Sequence, residues 1–130
     1  MTRCISSIIV CVVLLFVNGI SYAQSKQKQV EKVFEGLWVE KKTTRCLEIS
    51  FGNGYATIID WTSKVQKRES GDIYRAFLKN GKLIMPEDTE HRAPYSEIRF
   101  KNNKLIYLTR DIGMGRKPGW DTEVFTRKKL

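Results

Sequence analysis

Two hydrophobic patterns divide the chain. From Ile5 to Val17 the residues form an apolar run, interrupted only by Ser6, Ser7 and Cys11 and preceded by the short basic start Met1-Thr2-Arg3. A polar stretch, Gln24 to Gln29, follows. Val30, Val33, Phe34 and Leu37 then stand at i, i+3, i+4 and i+7, which predicts a short helical turn with one apolar face, ended by Gly36. Beyond that point the period becomes two. Leu47, Ile49 and Phe51 alternate with Cys46, Glu48 and Ser50, and Tyr55, Thr57, Ile59 and Trp61 alternate with Ala56, Ile58 and Asp60. Both runs are rich in β-branched and aromatic side chains, as strands are.

Turn chemistry punctuates the alternation. Gly52-Asn53-Gly54, Asn80-Gly81 and Asn102-Asn103 are residues that tolerate positive φ, the requirement of tight hairpins, and Ser70-Gly71-Asp72 is a fourth candidate turn. About nine short strands are predicted in this way, over 37–41, 45–51, 55–61, 63–69, 73–79, 82–86, 95–101, 104–110 and 121–128. Consecutive hairpins give an antiparallel up-and-down meander. Such a meander closes into an eight- or nine-stranded barrel because closure removes exposed edges. The expected class is all-β, with the helical turn at its start. Two longer loops interrupt the rhythm. Residues 86–94 are charged and bounded by Pro86 and Pro94, and residues 111–120 combine Gly113, Gly115 and Gly119 with Arg116, Lys117 and Trp120. Long loops on a rigid barrel are where specificity usually resides.

The amino-terminal pattern is that of a secretory signal. A basic start and an apolar run are followed by Ser21-Tyr22-Ala23, small residues at −3 and −1 of a cleavage point before Gln24. The apolar run is shorter than the roughly 20 residues of a spanning helix. The expected organisation is a signal peptide over 1–23, a polar leader over 24–29 and one β-barrel domain over 30–130. The mature protein is then exported, to the periplasm or beyond. Cys4 and Cys11 leave with the signal and Cys46 remains alone, so the domain forms no internal disulfide and depends on burial and hydrogen bonding.

Phe34-Glu35-Gly36-Leu37-Trp38 carries a Gly-x-Trp at the start of the first strand, and Arg127 lies near the end of the last, in Val124-Phe125-Thr126-Arg127. These residues resemble the calycin superfamily, and within it the lipocalin-like domains of exported bacterial proteins. The resemblance implies that Trp38 closes the base of the barrel, that Gly36 permits close backbone packing and that Arg127 covers the indole. It also implies a barrel able to hold one small ligand. A second motif, Ser70-Gly71-Asp72-Ile73-Tyr74, fits Ser-Gly-x-x-Tyr and resembles periplasmic lysozyme inhibitors, in which a serine loop plugs the enzyme's cleft.

The chain carries 23 Lys+Arg against 14 Asp+Glu, a formal net charge of +9. This favours anionic surroundings, such as acidic glycans, lipid headgroups or acidic proteins. It disfavours an inhibitor of lysozymes, which are themselves usually basic. Basic residues near Trp38, Trp61 and Trp120 would suit nucleic acid in another compartment, but export makes that ligand an unexpected one. No zinc spacing, phosphate-cradling glycine loop or nucleophile elbow is visible. Glu87, Asp88 and Glu90 could approach a divalent cation but read as a solvated loop. The expectation is therefore a basic, monomeric, non-enzymatic protein without cofactor or metal. It binds a small hydrophobic or amphipathic ligand, anionic ones included, through Met114, Arg116, Lys117 and Trp120 at the barrel mouth. The alternative is a protein-interaction module, such as a lysozyme-type inhibitor or an immunity protein.

Overall fold

The structure, a computed structural model, describes residues 3–110 and 119–129. It divides into two units, residues 1–32 and 33–130. The first is nearly all of one α-helix, α1 (Arg3–Phe34). The expected short turn is thus the last part of a longer helix, because the polar stretch before it contains no breaker. Gln27 donates to Glu31 one turn on, at 3.1 Å, and Lys32 lies in the last turn, where a cation suits the helix dipole. Among the described residues no helix is long and apolar enough to cross a membrane.

The second unit is a closed antiparallel barrel of eight strands in sequential order. They are β1 (Gly36–Val39), β2 (Arg45–Gly52), β3 (Tyr55–Thr62), β4 (Asp72–Lys79), β5 (Lys82–Met85), β6 (Ser96–Lys101), β7 (Lys104–Arg110) and β8 (Trp120–Arg127). Closure is made by β1 on β8, with Trp38 opposite Arg127 and Val39 opposite Thr126. The candidate strand over 63–69 is instead a turn followed by a 3-10 turn at Arg68–Ser70. Its sequence offers one apolar residue, Val65, and that side chain is exposed. A strand there would have nothing to bury.

The barrel has two unlike ends. Asn53-Gly54, Asn80-Gly81 and Asn102-Asn103 all have φ between 51° and 83°, so each makes a two-residue hairpin of the kind predicted. These three turns gather at the end where α1 meets β1. The longer connections, 40–44, 63–71 and 86–95, gather at the other end, where Arg110 and Trp120 also lie. The register places Trp38, Leu47, Ile58, Leu83, Ile98, Leu105 and Phe125 on the inner face. All seven are fully buried, as is Phe34. The end with the tight turns is therefore filled by the protein's own side chains.

Trp38 organises that closed end. Its ring and that of Phe34 each meet Phe100 edge to face, at 6.2 and 6.4 Å between centroids. Its Nε1–H donates to the Phe34 carbonyl at 2.8 Å, satisfying one of the carbonyls a helix end leaves free. The Arg127 guanidinium lies 4.2 Å from the indole centroid. It also donates to the Glu35 carbonyl and, at 2.9 Å, to that of Val33. Arg127 thus covers the ring and caps the helix at once.

Gly36 makes this possible. Its φ is +119°, and a Cβ added there would lie 2.7 Å from Arg127 Nη1. Gly36→Ala must strain the backbone and displace the guanidinium together, so it is expected to cost about 1–3 kcal/mol. Chemical denaturation of the variant checks this. An unchanged midpoint would show that the approach is not tight.

Candidate ligand site at the open end of the barrel

Above the apolar layer the inner face turns polar. Arg45, Asp60 and Glu123 project inward from β2, β3 and β8. Arg45 Nε lies 3.0 and 3.2 Å from the two Asp60 oxygens, and its Nη2 donates to Asp60 Oδ2 at 2.6 Å. The Nη1 group donates to Glu123 Oε1 at 2.7 Å. The guanidinium is stacked 4.7 Å from the Tyr107 ring centroid and 5.8 Å from that of Phe125. Burial would favour the neutral form. The bonds and charge of Asp60 and the charge of Glu123 outweigh it and push the Arg45 pKa above its ordinary value. Arg45 is therefore a fixed, permanently charged clamp joining three strands, and it separates the packed half of the barrel from the open half.

A cavity of about 570 Å³ lies beyond it. Its inner wall is built from inward-facing positions: Arg45, Tyr74, Met85, Ser96, Tyr107 and Thr109. The Tyr107 hydroxyl contacts Met85 Sδ at 3.7 Å. Burial raises the Tyr107 pKa, although the Arg45 charge opposes that, so the phenol stays neutral. The residues 86–95 form the outer wall. They are not a loose loop. Asp88 and Ala93 exchange two backbone hydrogen bonds, at 2.9 and 2.8 Å, and Arg92 takes φ +55° to close the turn. The Asp88 carboxylate accepts from the His91 amide at 3.1 Å and meets His91 Nδ1 at 2.7 Å. These bonds, led by the His91 side chain, lower the Asp88 pKa.

The cavity is open sideways, and the reason is in β4 and β5. Strand β4 pairs with β3 through Asp72–Ala76, but with β5 only through Phe77–Lys79. β5 ends at Met85, and Pro86 follows it. Proline has no N–H to continue the ladder, and the chain leaves β4 there. A gap results between β4 and the 86–95 segment, and the cavity opens through it.

Of the predicted mouth residues, Met114, Arg116 and Lys117 lie outside the described residues. Trp120 begins β8 at the open end. The register puts it on the outer face, next to inward-facing Asp121, with 46% of its surface exposed. It stands 6.0 Å from the Tyr95 ring, edge to face. The Arg110 guanidinium covers both rings, at 4.8 and 5.2 Å. Trp61 and Cys46 are buried, yet they are paired on the outer face beside Val39, in a shallow depression of about 370 Å³. Asp88, Glu90 and His91 bring ligand atoms within 4.8 Å of one another, but the Asp88 carboxylate is already used to shape the 86–95 turn. The residues that sequence reasoning missed are Arg45, Tyr74, Met85, Ser96 and Tyr107. Their shared signal is the alternation itself: each stands an even number of residues along its strand from a position that the register links to Trp38.

Below Tyr95 the outer face holds a nearly buried carboxylate. Glu97, 8% exposed, receives Tyr95 at 3.0 Å, Arg99 at 2.8 and 3.1 Å and Lys82 at 3.3 Å. Desolvation pushes its pKa up, but the bonds from Arg99, Tyr95 and Lys82 prevail and hold it below the ordinary value. A carboxyl with a depressed folded pKa adds stability above its unfolded pKa and loses it as pH falls through the folded one. Glu97→Gln is thus expected to be less stable at neutral pH by about 1–3 kcal/mol. The gap between variant and wild type should close on acidification below roughly pH 4. Denaturation midpoints across pH check this; a constant gap would contradict it.

The chain matches no protein-family profile, no curated protein and no solved structure.

Proposed function

We propose that the protein is an exported, non-enzymatic binding protein of the lipocalin-like, calycin form. It takes a small amphipathic molecule into the open end of its barrel. The observation that carries this reading is the 570 Å³ cavity walled by inward-facing side chains, a size that suits a small ligand. The lining is mixed in the required way. Met85, Tyr74, Tyr107, Pro86 and Pro94 supply apolar surface, and Ser96 and Thr109 supply hydroxyls. At the rim, Arg92 has no carboxylate partner among the described residues. Arg45 is not available to a ligand, because Asp60 and Glu123 occupy it. An acidic end group therefore belongs at the rim and an apolar body at the Met85–Tyr107 floor.

Native mass spectrometry of the protein purified from its own compartment tests the proposal. The expected result is added mass from a retained molecule, lost in Met85→Trp, whose indole would fill the floor. Wild type and variant free of any retained mass, and indifferent in melting temperature to dodecanoate, would refute it.

A further inference from the structure

The open side of the cavity is also an unpaired strand edge. On the β5 side of Asp72–Ala76 no backbone hydrogen bond is made by any described residue, although the opposite side is fully registered on β3. Asp72, Tyr74 and Arg75 are exposed, and Ile73 is 69% exposed on the outer face. Edge strands of this kind are usually shortened, covered or blocked by charge. Here the edge borders the ligand cavity, and the loss of pairing is fixed by Pro86. A fatty-acid-like molecule filling the cavity would leave the edge's N–H and C=O groups to water. An extended polypeptide would satisfy them.

We propose that this site also takes an extended peptide segment of another protein, added as a strand to the free edge of β4. The proposal rests on the reading of the open end as a ligand site and adds a second class of ligand to the small molecule. The alternation of β4 specifies the peptide. Tyr74 points inward and Ile73 and Arg75 point outward. The peptide residue opposite Tyr74 therefore sends its side chain into the cavity and must be apolar or aromatic, to rest on Met85 and Tyr107. Its neighbours point outward, one beside Ile73 and one beside Arg75. The first is apolar and the second acidic, since the Arg75 guanidinium, 4.6 Å from the Tyr55 ring centroid, pairs with no carboxylate among the described residues. The net charge of +9 favours an acidic partner as well. In antiparallel addition the core of the peptide reads Glu-Phe-Val from its amino end.

The test is isothermal titration of the full chain with the acetylated, amidated pentapeptide Thr-Glu-Phe-Val-Thr. Two N-methylated analogues, one modified at Phe and one at Glu and Val, accompany it, as does dodecanoate. Alternate amides of an added strand face β4 and solvent. The expected result is binding of the parent peptide tighter than dodecanoate, and at least about a tenfold loss in one analogue only. Arg75→Glu should reverse the preference, so that a Lys-Phe-Val core binds better than Glu-Phe-Val. Binding of dodecanoate without the peptide would overturn the inference and leave the ligand site standing. Equal effects in the two analogues would do the same. Binding of neither probe would overturn both. A dimer of the free protein in sedimentation, dispersed by Arg75→Glu, would assign the edge to a second copy and overturn the peptide reading.

Discussion

Trp38→Ala is expected to cost about 3–5 kcal/mol, the range for deleting a large buried aromatic. The side chain is fully buried, meets Phe100 edge to face and bonds the Phe34 carbonyl. Removing it leaves a cavity under the helix end and takes away the indole N–H that the Phe34 carbonyl accepts from. Arg127→Ala should cost less, because its guanidinium is held at the rim and not in the core. The two must nevertheless couple, since the guanidinium stands 4.2 Å from the ring. A coupling of about 0.5–2 kcal/mol follows from the cation–π contact. Denaturant titrations of both single variants and the double variant measure it. Strict additivity would contradict the arrangement of the closed end.

Arg45→Met has a comparable effect for a different reason. Methionine replaces much of the apolar stem but abandons Asp60, whose side chain is only 11% exposed. Breaking such a pair from one side typically costs about 3–5 kcal/mol, because the remaining charge has lost its partner. Some water reaches the open half of the barrel, so the lower part of that range is expected. Asp60→Asn, added to Arg45→Met, removes the stranded charge and should recover a substantial part of the loss. If Arg45→Met were neutral, or if the second change only added to the damage, the clamp would not be what joins β2, β3 and β8.

Much of the barrel was legible because its turns are written in unambiguous residues. Asn53-Gly54, Asn80-Gly81 and Asn102-Asn103 fix three hairpins, and each hairpin fixes a register. The Gly36–Trp38–Arg127 arrangement was legible only as what the family resemblance of those residues implied, and a guanidinium over an indole is the contact it implied. The helix cap that Arg127 also provides was not, because it depends on where α1 ends. The candidate site was much less readable. Tyr74, Met85 and Tyr107 look like ordinary strand residues until the register turns them inward together. The candidate strand over 63–69 failed because its one apolar residue, Val65, gives it no face to bury. Trp61 shows the opposite limit: it is buried, yet the register puts it on the outer face. The gap beside β4 follows from Pro86, a signal present in the sequence whose consequence needs the neighbouring strand to be seen.

The proposed binding takes place at the open end, in the cavity between β4 and the 86–95 segment. Amide hydrogen exchange of the full chain, with and without saturating dodecanoate, tests it most directly. The ligand should slow exchange at the Asp88–Ala93 turn, which walls the cavity, and leave the turns at 52–54, 80–81 and 102–103 unchanged. Protection confined to those three turns, or to the outer depression beside Trp61 and Cys46, would contradict it.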